Sequence, residues 1–261
     1  MEILNLFSPD QFKIFLLVLV RVSVVLFLFP IFGSSTIPSL VKAGLALIIS
    51  MLIFPVVAID VKLFPNNVVE TGIMLFSEFM IGLTLGLTVR IFFGAIQLAG
   101  QIVGFQMGYS MINVVDPQTG ANVSIMEQIG HWVVLLIFLA LNGHHMLVTS
   151  LLESYQIVHV GFFELPENII TKFIELISQM FILGIKVAAP AMAALLFTSV
   201  AFGISGKFAP QMNIMMVAFP LKIAIGLVLF GMALQIIAVV TKQYLMQFKE
   251  LLTTFLVWMG G

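Results

Sequence analysis

Apolar residues run along this chain in long blocks, and polar positions gather in short clusters between them. The first block is Phe12 to Phe32. Ser8-Pro9-Asp10 opens it, with serine suited to a helix N-cap and proline to a first turn. Pro30 and then Gly33-Ser34-Ser35 close it. Pro38 opens a second block, about Leu40 to Ile59, in which Pro55 is expected to kink or shorten the end. A polar connection, Asp60 to Asn67, leads to Val68 to Val103, longer than the roughly 20 residues one membrane crossing needs. Later blocks are His131 to Leu152, Ile169 to Gly203 and Ile214 to Thr241, with Pro190 and Pro220 inside the last two. The tail, Lys242 to Gly261, is amphipathic and reads as a helix extension or an interfacial segment. No stretch alternates like a barrel strand, and no repeat recurs at solenoid period. The pattern predicts an all-α chain of about six apolar segments.

One stretch departs from this pattern. Gly104 to Gln128 holds Gly104, Gly108 and Gly120, an Asp116-Pro117 pair, and a run of Asn, Gln, Ser and Thr, with no Lys or Arg. It also keeps Met107, Tyr109, Met111, Ile112, Val114 and Val115. Glycine, amide and apolar residues together predict non-helical backbone, which is tolerated at membrane depth only where it is buried in protein or lines an aqueous cavity. We read this loop as lying in a conduit and helping to close it.

Composition turns the blocks into a class. Of 261 residues 61% are hydrophobic and 9% charged, and the mean hydropathy is +1.18. A soluble domain runs near 25% charged, so the chain is a polytopic membrane protein. A net charge of −1 argues against a nucleic-acid partner, which needs clustered Lys and Arg. The absence of cysteine removes disulfides, thiolate metal sites and thiol nucleophiles. The start, with acidic residues and no basic region, does not resemble a cleaved signal, and we take the chain as mature. Lys and Arg are too few for the positive-inside rule to orient every segment; Lys207 weakly places its turn in the cytoplasm.

Arg21, Glu78, Arg90, Lys186 and Lys222 sit inside apolar runs. A charge at mid-bilayer costs at least about 2.5–3.5 kcal/mol, so such residues are expected to face a subunit interface or hydrated path and to pair there. The bland alternative is snorkelling from a helix end. We give the interface reading most weight at Glu78 and Lys222 and less at Arg21. Glu78 as a proton relay is a thin inference from one carboxylate. Gly82 and Gly86 form a GxxxG pair suited to close helix approach. His144 and His145 are adjacent, so on a helix they point about 100° apart, poor geometry for one metal. A hydrogen-bonding role near a helix end suits them better than catalysis. Most of the Met and Phe residues read as ordinary packing; Met107 and Met111, in a polar setting, suit a soft gasket. No phosphate-binding glycine motif is present, so ATP-driven work would need a separate motor. We expect no catalytic residue, metal site or cofactor, and no enzyme.

Several signatures coincide along the chain: Pro30-Ile31-Phe32-Gly33; Glu78-x-x-x-Gly82 with Gly86; Gly104-x-x-x-Gly108 leading to Asp116-Pro117; Asn142-Gly143-His144-His145; Pro210-Gln211-Met212-Asn213; and Phe219-Pro220-Leu221-Lys222-Ile223. In this order, over nearly the full length, they resemble the FliR family, flagellar biosynthetic proteins of the type III secretion export gate. Lys207 stands where many relatives carry Arg, which keeps the charge but loses bidentate pairing.

The resemblance implies a FliP-like helical part, residues 1–167, followed by a FliQ-like hairpin, residues 168–261, with its tip at about 203–213. It implies a cone-shaped gate in the bacterial inner membrane, within the flagellar basal body, partly lifted to the periplasmic side. One such subunit closes a ring of FliP-like subunits, with FliQ-like hairpins outside. A FlhB-like switch protein on the cytoplasmic side faces Lys207, Pro210, Gln211 and Asn213, and a FlhA-like export protein belongs to the same apparatus. Unfolded flagellar proteins pass through. The family's plug falls on about Gln106 to Asn122, giving gating roles to Gln106, Met107, Gly108, Tyr109, Met111, Asn113, Asp116 and Pro117. Glu78, Arg90, Lys186 and Lys222 would be interface charges. A virulence injectisome homologue is the alternative, and a stand-alone secondary transporter stands behind it.

Overall fold

A computed structural model of the chain describes residues 9–32, 37–57, 67–108, 124–162, 166–211 and 213–260. Among these, every regular element is helical. In chain order they are α1 (Pro9–Leu28), α2 (Ser39–Ile53), a 3-10 turn (Phe54–Val56), α3 (Val68–Met107), α4 (Ile125–Ala140), α5 (Gly143–Ile157), α6 (Glu167–Phe208) and α7 (Ile214–Gly260). Five are long and apolar enough to cross a membrane, and the bent pair α4–α5 brings the total to six if it counts as one span. The chain is an all-α polytopic membrane protein.

Local chemistry sets the ends. Proline at 55 has no N–H to return to the Met51 carbonyl, so α2 stops and the chain tightens into the 3-10 turn. Asn67 caps α3: its Oδ1 accepts the Val69 amide at 3.2 Å and its carbonyl accepts Thr71 N at 3.1 Å. Glu70 in that first turn complements the positive end of the helix dipole. Inside the helices, buried hydroxyls bond back to the preceding turn, as Ser50 does to the Ala46 carbonyl (2.7 Å) and Thr241 to Ile237 (2.7 Å). Without such bonds each hydroxyl would be an unsatisfied polar group.

Two expectations are corrected, and a third is narrowed. The apolar run His131 to Leu152 is not one helix. It breaks at Asn142, whose left-handed backbone (φ 58°, ψ 28°) ends α4 and starts α5, with the two axes 68° apart. Asparagine tolerates that conformation better than other non-glycine residues. The Asn142 carbonyl then accepts the amides of His145 (3.0 Å) and Met146 (3.2 Å). The stretch Gly104 to Gln128 is not irregular at its edges: α3 runs on to Met107 and α4 begins at Ile125. Tail residues 242–260 continue α7, the helix extension that is one of the two readings of this segment.

The chain forms two compact units. Unit 1 comprises residues 1–90, 142–174 and 246–261; unit 2 comprises 91–141 and 175–245. In unit 1 the face Ile14, Leu17, Val18, Arg21, Val22 and Val25 of α1 is buried. α3 meets α1 closely. A Cβ on Gly82 would stand 2.9 Å from the Arg21 carbonyl, and one on Gly86 would stand 2.6 Å from Leu28 Cβ. In unit 2, Phe93, Ile96, Ala99, Val103 and Met107 of α3 are buried. Phe93 packs edge-on to Phe138 of α4 (5.5 Å), and Phe92 stacks on Tyr244 of α7 (3.9 Å).

Candidate functional site

The base of the central loop lies in unit 2. Gly100 and Gly104 are four residues apart and share one face of α3, and Gly108 follows directly after its end at Met107. At Gly100 a Cβ would stand 2.6 Å from Glu127 Cα and from the Met126 carbonyl. At Gly104 it would collide with Ser124 Oγ. The glycine face thus lets the first turn of α4 lie directly against the last turns of α3, and both ends of the loop are held together. Ser124 Oγ is buried there without a hydrogen-bond partner among the described residues.

α7 closes the same junction. Gly108 has φ 90°, a region that glycine alone enters without strain, and any Cβ there would stand 2.6 Å from the Phe219 ring. Its amide bonds the Phe105 carbonyl at 3.1 Å. Met107 is fully buried, and its side chain fills the notch left by Gly226, whose would-be Cβ lies 2.6 Å from Sδ. Two motifs distant in sequence, Gly104-x-x-x-Gly108 and Phe219-Pro220, therefore meet. Of the eight plug residues expected from the sequence, Gln106, Met107 and Gly108 are in this junction. Tyr109, Met111, Asn113, Asp116 and Pro117 lie outside the described residues.

Unit 1 contains the second candidate. Glu78 is fully buried and pairs within the chain, with Arg21 of α1. Arg21 Nε donates to Glu78 Oε2 at 2.6 Å and Nη2 donates to Oε1 at 3.0 Å, the bidentate fork that only arginine makes. Arg21 Nη1 donates to Ser154 Oγ (2.9 Å), and the Ser154 hydroxyl in turn donates to the Leu151 carbonyl (2.6 Å). The Gly161 amide donates to Glu78 Oε1 (2.9 Å). The guanidinium carbon lies 4.1 Å from the centre of the Tyr155 ring, whose hydroxyl donates to the Val18 carbonyl (3.3 Å).

Arg21 pairs with Glu78 inside the unit. Arg21 sits at the same helical spacing as buried Leu17, Val18 and Val25, so its face was legible.

The remaining candidates stand apart. Arg90 and Lys186 are exposed and Lys222 is half-buried; no ion pair is recorded for them among the described residues. Lys207, Pro210, Gln211 and Asn213 are all exposed at the turn between α6 and α7. The His144 and His145 rings lie 4.3 Å apart, and His144 Nδ1 is buried without a partner among the described residues. His131, on α4, is held by Gln97 at 3.1 Å.

Comparison with known proteins sets these features in a family. Residues 12–248 match the family described as bacterial export proteins, family 1. The flagellar biosynthetic protein FliR of Bacillus subtilis is 34% identical over 89% of this chain and 90% of its own length. FliR of Escherichia coli is 32% identical over 84% of both chains. FliR of Aquifex aeolicus is 28% identical over 95% of this chain and 96% of its own. With the motif order, the all-helical fold and the near full-length match in agreement, the chain belongs to the bacterial export proteins of family 1, the FliR family.

Proposed function

We propose that this chain is a component of the flagellar protein export apparatus, and that within it the chain is a core subunit of the gate with a central loop that plugs the pore. The relatives described above, each named a flagellar biosynthetic protein, support the flagellar setting over a virulence injectisome. The observation that carries the plug is the junction at Gly100, Gly104 and Gly108. It holds the two flanks of a polar, glycine-rich segment, the end of α3 and the start of α4, against each other. Gln106, Met107 and Gly108 are the anchored end. Tyr109, Met111, Asn113, Asp116 and Pro117 supply the occluding part, in which methionine adapts to irregular gaps and seals without fixed geometry.

The assembly that fits this reading contains FliP-like and FliQ-like subunits around the pore. A FlhB-like switch protein contacts the exposed turn at Lys207, Pro210, Gln211 and Asn213, and a FlhA-like protein completes the apparatus. Residues 1–167 would take the FliP-like position and 168–261 the FliQ-like hairpin. Unfolded flagellar subunits are the cargo. The setting is the inner membrane, with part of the helical mass raised to the periplasmic side. The family is named for export rather than for a reaction, and the proposed role is gating, not catalysis.

Deleting residues 109–122, which spares the anchored base, tests the plug. The expected result is a membrane that leaks ions and small solutes while export continues or loosens. A membrane that stays tight in cells containing the assembled gate overturns the plug.

A further inference from the structure

The Arg21–Glu78 cluster plays no part in the loop junction, and its geometry carries an assignment of its own. Both charges are fully buried. The Glu78 oxygens are filled by three N–H donors: Arg21 Nε on one, Arg21 Nη2 and the Gly161 amide on the other. On its other side the guanidinium is met by Ser154 Oγ and by the Tyr155 ring. Four segments of unit 1 converge on it: α1, α3, α5 and the turn that follows α5. In that turn Phe162 N donates to the His159 carbonyl at 3.0 Å, and Gly161 has φ 81° with Met74 packed over it.

We infer that the Arg21–Glu78 pair is a positional lock that sets the register of α1, α3 and α5 in unit 1, and that Glu78 neither carries protons nor meets the transported chain. A carboxylate that relays protons needs a route to a donor and an acceptor beyond its own cluster. Glu78 is fully buried with three of its roughly four acceptor positions filled, and its arginine partner does not release a proton. The lock is also directional. The Gly161 N–H needs an acceptor at 78, and the Tyr155 face and the Ser154 oxygen favour a cationic donor at 21. A pair bound this way adds little net stability over an apolar pair of the same size, but losing one member leaves a charge buried alone.

The first arm of the test uses the wild-type protein in its native membranes. Dicyclohexylcarbodiimide, which couples to buried carboxyl groups that pick up a proton, is applied, and the peptide containing Glu78 is read by mass spectrometry. The lock predicts no adduct at Glu78; an adduct there overturns it. This arm requires no variant to fold and does not depend on the gating proposal.

The second arm compares R21M, E78M, the double variant R21M/E78M and the swap R21E/E78R. Each single variant is expected to lower the amount of protein in the membrane by about tenfold or more, and the double to recover both amount and export to within about threefold of wild type. The swap is expected to stay low. A double variant present at normal amount that does not export shows a role for the charges in transit. A swap that restores the amount shows that attraction alone, without directional contacts, is what matters. Either result overturns the lock.

Discussion

At the scale of single residues, two backbone conformations and one charge pair decide where segments meet. Gly161 must be glycine for two reasons. Its φ is left-handed, and a Cβ would run into the Met74 methyl group. Gly161→Ala is therefore expected to destabilise the protein by about 1–2 kcal/mol from backbone strain alone, plus the steric conflict. Met74→Ala in the same chain should recover the steric share and leave the strain. Thermal unfolding of the detergent-purified protein separates the two; an unchanged midpoint in Gly161→Ala refutes the account. Asn142 is the milder case, since asparagine accepts the left-handed region. Asn142→Gly is expected to be near neutral, and Asn142→Val to destabilise, because a β-branched side chain is strained there.

At the scale of elements, glycine positions sort into contacts and open surface. Gly82 and Gly86 bring α3 against α1, and Gly100 and Gly104 bring α3 against α4. Gly44 in α2 and Gly231 in α7 have nothing within 4 Å of a would-be Cβ. Gly44→Ala and Gly231→Ala should then stabilise the isolated chain by roughly 0.5–1 kcal/mol, the cost of glycine inside a helix. Gly86→Leu and Gly104→Val should instead reduce the folded amount sharply. Equal effects from both groups, in unfolding curves on the same preparation, would rule out close helix approach as their role.

The element scale also shows how the charge pair was half legible. Glu78, Gly82 and Gly86 are four residues apart, so they share one stripe of α3. A stripe that holds a GxxxG pair faces another helix, and a carboxylate on it must be met there by a donor. That argument reaches Glu78 from sequence. It does not select Arg21 over Arg90, Lys186 or Lys222, because all four sit inside apolar runs. Folding separates them: Arg21 is buried while Arg90 and Lys186 are exposed.

At the scale of the whole molecule, length matters. α3, α6 and α7 hold 40, 42 and 47 residues, about twice the roughly 20 that one crossing needs. Much of their apolar surface is open, including Phe197, Ile204, Met216, Val228, Met232 and Val239. Lipid alone cannot cover helices of that length, so partner chains are expected on them. Native mass spectrometry of the tagged protein, co-expressed with its genomic neighbours, should find one copy within a large complex of smaller hydrophobic proteins. A lone monomer or homodimer, with the neighbours present but unbound, would falsify the gate assembly. Alkaline carbonate should leave the protein in the membrane pellet.

What the sequence determined by itself was the class and most of the elements. Long apolar blocks at 9% charge permit only membrane helices, because backbone polar groups in lipid must be satisfied within the segment. Prolines and capping residues, being local chemistry, marked most of the helix ends. Six ordered motifs placed the chain in its family. Only the tertiary structure decided which charge Glu78 meets, that Met107 is packed under Gly226 and Gly108 under Phe219, and that one apolar run bends by 68° at Asn142. These outcomes depend on which faces come together across long stretches of chain. Periodicity says that a face is buried, but the partner is chosen by complementary shape and charge from distant segments, and no local pattern records that choice.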